Sequence, residues 1–110
     1  MKVRLIKKKS IEVFALQNAR SRSSFRLWLT FLKMADWAEP GDITKTFGSA
    51  DLLGNGSDRV VFDIAGNNYR MICKYHFGVA SVHLYIKWIG THAVYTKLCD
   101  DNKQYTVNNY

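Results

Sequence analysis

The side chains in this sequence that are suited to chemistry are mainly basic and aromatic. Basic residues, histidines and tyrosines recur at spacings of two or four in two stretches, 70–76 and 83–87. Because successive side chains of a strand point to opposite faces, this spacing puts them on one face of a sheet. Cations bind phosphate and aromatic rings stack on bases. The pattern therefore predicts an anion-binding face, with an ordinary solvated face as the alternative, formed by Arg59, Arg70, Lys74, His76, His83, Tyr85 and Lys87.

The sequence lacks the residues that several other kinds of reaction need. Gly54-Asn55-Gly56 is not followed by the Gly-Lys-Ser/Thr of a phosphate loop, so no nucleoside triphosphate is expected. The three histidines are far apart and the acidic residues have no histidine partners, so we expect no metal and no other cofactor. Cys73 points inward on a predicted strand and is interpreted as a core residue rather than a nucleophile.

The remaining set of Arg, Lys, His and Tyr fits RNA better than DNA. RNA carries its own nucleophile, the 2′-hydroxyl group. A protein that cleaves it therefore needs only a base, an acid and cations around the scissile phosphate.

The net charge of +7 is unevenly distributed along the chain. Residues 1–33 carry nine Lys and Arg against Glu12 alone, residues 34–66 are acidic, and residues 67–110 are again basic. A small basic domain suits an anionic partner, either nucleic acid or an acidic protein. The alternative is that these charges only keep the protein soluble.

The sequence predicts a cytoplasmic protein with no membrane partner. No uncharged apolar stretch approaches the roughly 20 residues that span a bilayer. The basic residues 1–9 are followed by no apolar segment with a cleavage site, so no secretory signal is expected. Cys73 and Cys99 match no zinc or redox motif and are expected to be reduced thiols.

Helical periodicity appears in the first half of the chain. A short alternating stretch predicts a strand at 2–6, and Ser10 is a suitable N-cap for a helix over about 10–18. A second helix begins near Ser23 or Ser24, because apolar residues recur at i, i+3, i+4 and i+7. These are Phe25, Trp28, Leu29 and Leu32. After Pro40-Gly41, residues 42–47 allow one short helical turn.

The second half alternates with the period of a strand. Strands are predicted at 59–64, 68–77 and 82–89, with a hairpin turn at Gly66-Asn67 and a final helix over about 91–98. The predicted core face collects Val60, Phe62, Ile64, Met71, Cys73, Tyr75, Val82, Leu84, Ile86 and Trp88. The order β-α-α-β-β-β-α indicates an α+β domain over 1–98, with helices on one face of a mainly antiparallel sheet. Residues 99–110 are expected to form a polar, mobile tail.

Four segments resemble the HigB toxins of bacterial toxin–antitoxin modules. Arg59–Arg70 and Ile86–Tyr95 carry the closest likeness, and Ala35–Ile43 and Ser49–Gly56 resemble the same family. The resemblance covers roughly residues 3–98. Three or more separated motifs in the same order are more specific than any one of them.

The resemblance implies a small microbial RNase fold of the RelE-like superfamily. Such toxins cut mRNA, usually on the translating ribosome, and are silenced in a complex with a HigA-type helix-turn-helix antitoxin. By position, Arg70 matches the arginine used on the scissile phosphate, and Lys87 stands where a basic residue, usually Arg, is found. His92 and Tyr95 match the Thr-His-x-x-Tyr signature. Arg59 matches a frequent basic position, and Lys74 and Lys97 are supporting cations.

The sequence also departs from that family. Val94 and Thr96 stand where Glu and Asp are usual. Three functions therefore stay open: a metal-independent endoribonuclease toxin, with His92 or a nearby lysine as the base; a non-catalytic module that binds RNA or the ribosome; and an inactivated toxin that binds the antitoxin as a regulator.

Overall fold

The computed structural model describes all residues from 1 to 110. It contains five strands, four α-helices and a short 3₁₀ turn at Ala19–Ser21. In chain order the elements are β1 (Lys2–Ile6), α1 (Lys8–Gln17), α2 (Arg22–Lys33), α3 (Gly41–Thr46), β2 (Asp51–Leu52), β3 (Arg59–Ile64), β4 (Tyr69–Phe77), β5 (Ser81–Thr91) and α4 (His92–Asp100). The predicted α+β class is confirmed; the two-residue strand β2 and the 3₁₀ turn were not predicted. No helix is long and apolar enough to cross a membrane.

The sheet has the strand order β1-β5-β4-β3-β2. Neighbouring strands are antiparallel except for β1, which runs parallel to β5 and pairs Val3 with Val82. The long hairpins formed by β3, β4 and β5 follow from the short links between these strands, because a short link joins antiparallel neighbours. The chain's first strand thus lies beside its last one.

Helices α1 and α2 cover one face of the sheet, which we call the core face. The apolar stripe predicted for α2 is confirmed, since Phe25, Trp28 and Leu32 are buried. Trp28 packs between Phe47, with ring centroids 5.4 Å apart, and Phe62 of β3, at 5.2 Å. This packing fixes the helical layer on β3.

Trp88 does not belong to the core face as predicted. A β-bulge lies in β5 opposite the Ile72/Cys73 step, so that Cys73 pairs with Ile86 but Ile72 pairs with Trp88. The extra residue, Lys87, reverses the alternation of the side chains. Trp88 therefore lies with Val61 and Ile72 in a second buried cluster on the opposite face.

Gly90 makes room for the indole ring of Trp88. A Cβ atom built on Gly90 would lie 2.4 Å from a ring carbon of Trp88, which is inside van der Waals contact. A glycine inside a strand often marks such a close approach. The indole ring of Trp88 consequently lies over Gly90, two residues further along β5.

Helix α4 and the C-terminal residues cover this second cluster. Tyr95 and Leu98 of α4 pack against it, as does Val107 of the tail. The expectation that all helices lie on one face is corrected for α4, which packs on the face opposite α1 and α2. The tail, expected to be mobile or weakly ordered, is bonded to the sheet in the structure: the backbone N–H of Asn109 donates to the carbonyl of Lys87 at 2.8 Å.

Candidate functional site

Arg70 is held in place at the hairpin between β3 and β4. Its Nε lies 3.1 Å from a carboxylate oxygen of Asp63, its Nη1 donates to the carbonyls of Tyr69 and Gly66, and its Nη2 donates to the side-chain oxygen of Asn67 at 3.2 Å. The side chain was expected to be exposed, yet the residue is only 8% exposed. A guanidinium has five N–H donors, so one remains free after these four contacts.

Tyr95 lies at the same end of the sheet as Arg70. Its ring centroid is 6.1 Å from that of Trp88, and Arg70 pairs with Gly90 in the sheet register. Burial raises the pKa of Tyr95, with further increases from Cys99 and Asp51, whereas Arg70 acts in the opposite direction. The phenol therefore stays protonated at neutral pH, with Cys99 as its hydrogen-bond partner.

His92 is the first residue of α4 and is exposed. Its backbone N–H donates to the carbonyl of Asn68, two residues before Arg70, which places the start of α4 against the hairpin. The imidazole forms no hydrogen bond within the protein. Thr96, at a position where the HigB pattern has Asp, donates its hydroxyl to the carbonyl of His92 at 3.1 Å. No carboxylate orients the ring in this chain.

Lys87 occupies the bulge in β5, away from Arg70. Gly90, the strand partner of Arg70, is three residues further along, a separation of about 10 Å at ~3.3 Å per residue. The Lys87 Nζ lies 5.7 Å from the centroid of the Tyr85 ring and 3.3 Å from the side-chain oxygen of Asn108. Burial lowers the pKa of Lys87, and the charges of Arg59, Lys74 and Lys7 lower it further. The four predicted catalytic residues are thus split into two groups.

Arg59 is not exposed for RNA as predicted. It is 5% exposed, and its Nη1 donates to the carbonyls of Gln104 at 3.2 Å and Val107 at 2.7 Å. No carboxylate pairs with it, and burial lowers its pKa. Its side chain anchors the tail on the sheet, so the structure argues against a direct contact with RNA.

The other predicted RNA-binding residues lie further along the same face. The rings of His76 and His83 are parallel within 9°, with centroids 6.3 Å apart, and Tyr85 lies 6.3 Å from His83. Lys74 is exposed between Arg59 on β3 and Tyr85 on β5. Lys97 is exposed on α4 and forms no ion pair or side-chain hydrogen bond.

Two features of this face were not predicted from the sequence. Asp63 and Asn67 hold Arg70, although only their position near the hairpin turn hinted at such a role. Lys7, which follows β1, lies close enough to Lys87 to lower its pKa. The sequence did not distinguish Lys7 from its neighbours, because it belongs to a run of three lysines at 7–9.

The structure groups no three His, Cys, Asp or Glu side chains in a way that would hold a metal ion. Both cysteines are free, with Cys73 buried and Cys99 partly buried. What the face assembles instead is a set of cations, aromatic rings and the exposed imidazoles of His76 and His92. This combination suits recognition of a phosphodiester backbone together with its bases.

Comparison with known proteins gave one informative result. A search of curated proteins found no match. The family model HigB_toxin, described as the RelE-like toxic component of a toxin-antitoxin system, matches residues 21–98, well over half of the chain. That range includes α2 through most of α4 and excludes the tail that anchors on Arg59. The chain therefore belongs to the HigB toxin family, the RelE-like toxic component of toxin–antitoxin systems, and membership of such a system implies an antitoxin partner.

Proposed function

We propose that this toxin is a cytoplasmic, metal-independent endoribonuclease that cuts mRNA on the ribosome and so inhibits translation. The proposal rests on the positions of Arg70, Tyr95 and the start of α4, which lie together at one end of a sheet face. The rest of that face carries cations that have no acidic partner. A HigA-type helix-turn-helix antitoxin is the proposed partner, in a heteromeric complex.

The proposed reaction uses the RNA's own 2′-hydroxyl as nucleophile. His92, at the start of α4 beside the hairpin that holds Arg70, takes its proton. The free N–H of Arg70 stabilises the negative charge that develops on the phosphate. Lys87 lies further along β5 and binds the adjoining part of the RNA. Tyr95 orients the RNA. The bond from phosphorus to the 5′-oxygen breaks and that oxygen takes a proton from water, so the products are a 2′,3′-cyclic phosphate, or the 3′-phosphate from its opening by water, and a 5′-hydroxyl.

A second candidate function is a non-catalytic module that blocks translation by occupying RNA or the ribosome. The observation that favours it is that four of the five Arg70 donors are already used within the protein. The same observation, together with Val94 and Thr96, also favours the alternative of an inactivated toxin that binds the antitoxin. These models require the basic face but no base at His92 or Lys87.

We predict that cleavage persists in excess EDTA, because the proposed mechanism needs no metal ion. The measurement is single-turnover cleavage of free RNA, or of mRNA on ribosomes kept intact by polyamines, with analysis of the product ends. A 5′-hydroxyl and a cyclic or 3′-phosphate are expected. Activity that disappears in EDTA and returns only with one divalent ion would contradict the metal-independent mechanism.

We also predict that RNA affinity falls steeply with salt. For four to six phosphate contacts with a single strand, the logarithm of the association constant should fall with a slope of about −3 to −4 against the logarithm of the salt concentration. Fluorescence anisotropy of a labelled oligoribonucleotide between ~50 and ~200 mM salt measures this slope. An affinity independent of salt would leave the basic face with a role in solubility alone.

A further inference from the structure

Lysines from three separate segments converge near Tyr85 and Lys87. Lys74 on β4 pairs directly with Tyr85 on β5, and Lys87 lies over the Tyr85 ring. Lys7 follows Ile6, the last residue of β1, which also pairs with Tyr85. The arrangement is therefore fixed by the register of three adjacent strands rather than by flexible loops.

These lysines have no acidic partner. The three ion pairs in the protein lie elsewhere and join Met1 to Asp36, Lys45 to Asp42, and Arg70 to Asp63. Like charges that approach one another without a carboxylate repel, and a bound anion would remove that repulsion. No acidic side chain of the protein therefore neutralises the positive charge of this cluster.

Two of the three ammonium groups are also free to bind a ligand. Lys7 and Lys74 are exposed and form no side-chain hydrogen bond, whereas Lys87 contacts only the amide oxygen of Asn108. Arg59 adds positive charge beneath them but keeps its own donors on the tail carbonyls. Lys7 has a left-handed backbone, with φ at 69°, at the point where the chain turns from β1 into α1.

The surroundings favour RNA over an acidic protein as the source of the anion. The parallel rings of His76 and His83 continue the same face beyond Tyr85, and they provide surfaces on which successive bases stack. An acidic peptide would need the lysines but not these rings. Arg70 and the lysines lie on the same pair of strands, on either side of the cluster that α4 and the tail cover.

We infer that Lys7, Lys74 and Lys87 form a binding subsite for a second phosphate of single-stranded RNA, separate from the one near Arg70, because Lys87 and the strand partner of Arg70 are about 10 Å apart along β5. This inference rests on the proposed function, since it names how the RNA continues across the same face. The subsite contributes to affinity and to the path of the strand, whereas Arg70 acts on the reacting phosphate.

The test compares Lys7→Gln, Lys74→Gln and their double variant with Lys33→Gln, an exposed lysine on α2. The probe is a fluorescent single-stranded 2′-O-methyl RNA, which binds but has no free 2′-hydroxyl and cannot be cleaved. Each of the two single variants should weaken binding and reduce the salt slope by about 0.7, the double variant by about 1.4, and Lys33→Gln by nothing measurable.

Several results would overturn the inference. One is a double variant that binds the RNA with the affinity and salt slope of Lys33→Gln. Another is loss of antitoxin binding with RNA binding unchanged, which would assign the lysines to an acidic protein surface. A parent protein that does not bind the probe at ~50 mM salt would also overturn it.

Failure of the subsite and failure of the proposed function give different results. If the parent binds RNA with the expected slopes but cleaves nothing, the endoribonuclease proposal is wrong and the subsite stands. If the parent cleaves and the lysine variants show unchanged concentration dependence, the subsite is wrong. In an active enzyme the lysine variants should raise the protein concentration for half-maximal cleavage and leave the maximal single-turnover rate nearly unchanged.

Discussion

Replacing Arg70 with Ala is expected to lower the single-turnover rate of RNA cleavage by about 10²–10³-fold, while RNA affinity falls far less. The guanidinium is fixed by Asp63 and Asn67, so its free donor is already positioned when RNA arrives. A preorganised donor of this kind acts mainly on the charge that develops in the transition state. Binding is maintained by Lys74 and Lys87, which lie elsewhere on the face.

Arg70 also has a structural role, which the experiment must separate from catalysis. Its four contacts close the hairpin between β3 and β4, so we expect Arg70→Ala to lower the free energy of unfolding by about 1–3 kcal/mol. Asn67→Ala is the matched control because it removes one hairpin contact and keeps the guanidinium. Denaturant unfolding of both variants shows whether the protein is still folded at the assay temperature.

Arg70→Lys adds a second control, and it is not expected to restore full activity. An ammonium keeps the charge but cannot hold Asp63 and Asn67 while it presents a further donor in the same plane. Parental cleavage rates in Arg70→Ala would show that the reactive site is elsewhere. Equal losses of binding and cleavage would favour the non-catalytic module.

The layout of the fold could be predicted because each element has its own periodic signal. The stripe of Phe25, Trp28 and Leu32 indicates α2. The alternation in 59–64 indicates β3, and these bounds are the ones that β3 has in the structure. Short links between the strands then require antiparallel pairing. These features depend on neighbours in sequence, which a single sequence shows directly.

The site was harder to predict because it depends on contacts between distant residues. The bulge at Lys87 leaves no mark in the alternation, and it moved Trp88 to the other face. Gly90 was the available hint, since a glycine in a strand often accompanies a bulge or a close contact. The burial of Arg59 could not be anticipated, because its acceptors are backbone carbonyls 45 and 48 residues later in the chain.

The C-terminal tail provides the second large prediction. Deleting residues 104–110 is expected to lower the free energy of unfolding by about 2–4 kcal/mol and the melting temperature by on the order of 10–20 °C. The deletion removes both acceptors of the buried Arg59 guanidinium. It also exposes the cluster of Val61, Ile72 and Trp88, against which Val107 packs. The entropy regained by not ordering seven residues offsets part of these losses.

Arg59→Met distinguishes this explanation from a general loss of packing. In the full-length chain the substitution should destabilise the protein, because the carbonyls of Gln104 and Val107 lose their donor. In the truncated chain the same substitution should change the stability little, since the tail no longer covers the guanidinium and water replaces the two carbonyls.

The loss of the Arg59→Met effect in the truncated chain is the decisive result of this double-mutant cycle, and Thr106→Ala, at an exposed tail position, serves as the neutral control. Thermal and denaturant unfolding of the four proteins measure it. A truncated chain with an unchanged melting temperature would mean that the tail is mobile after all. If Arg59→Met has the same effect in both backgrounds, Arg59 does not anchor the tail, and its burial needs another cause.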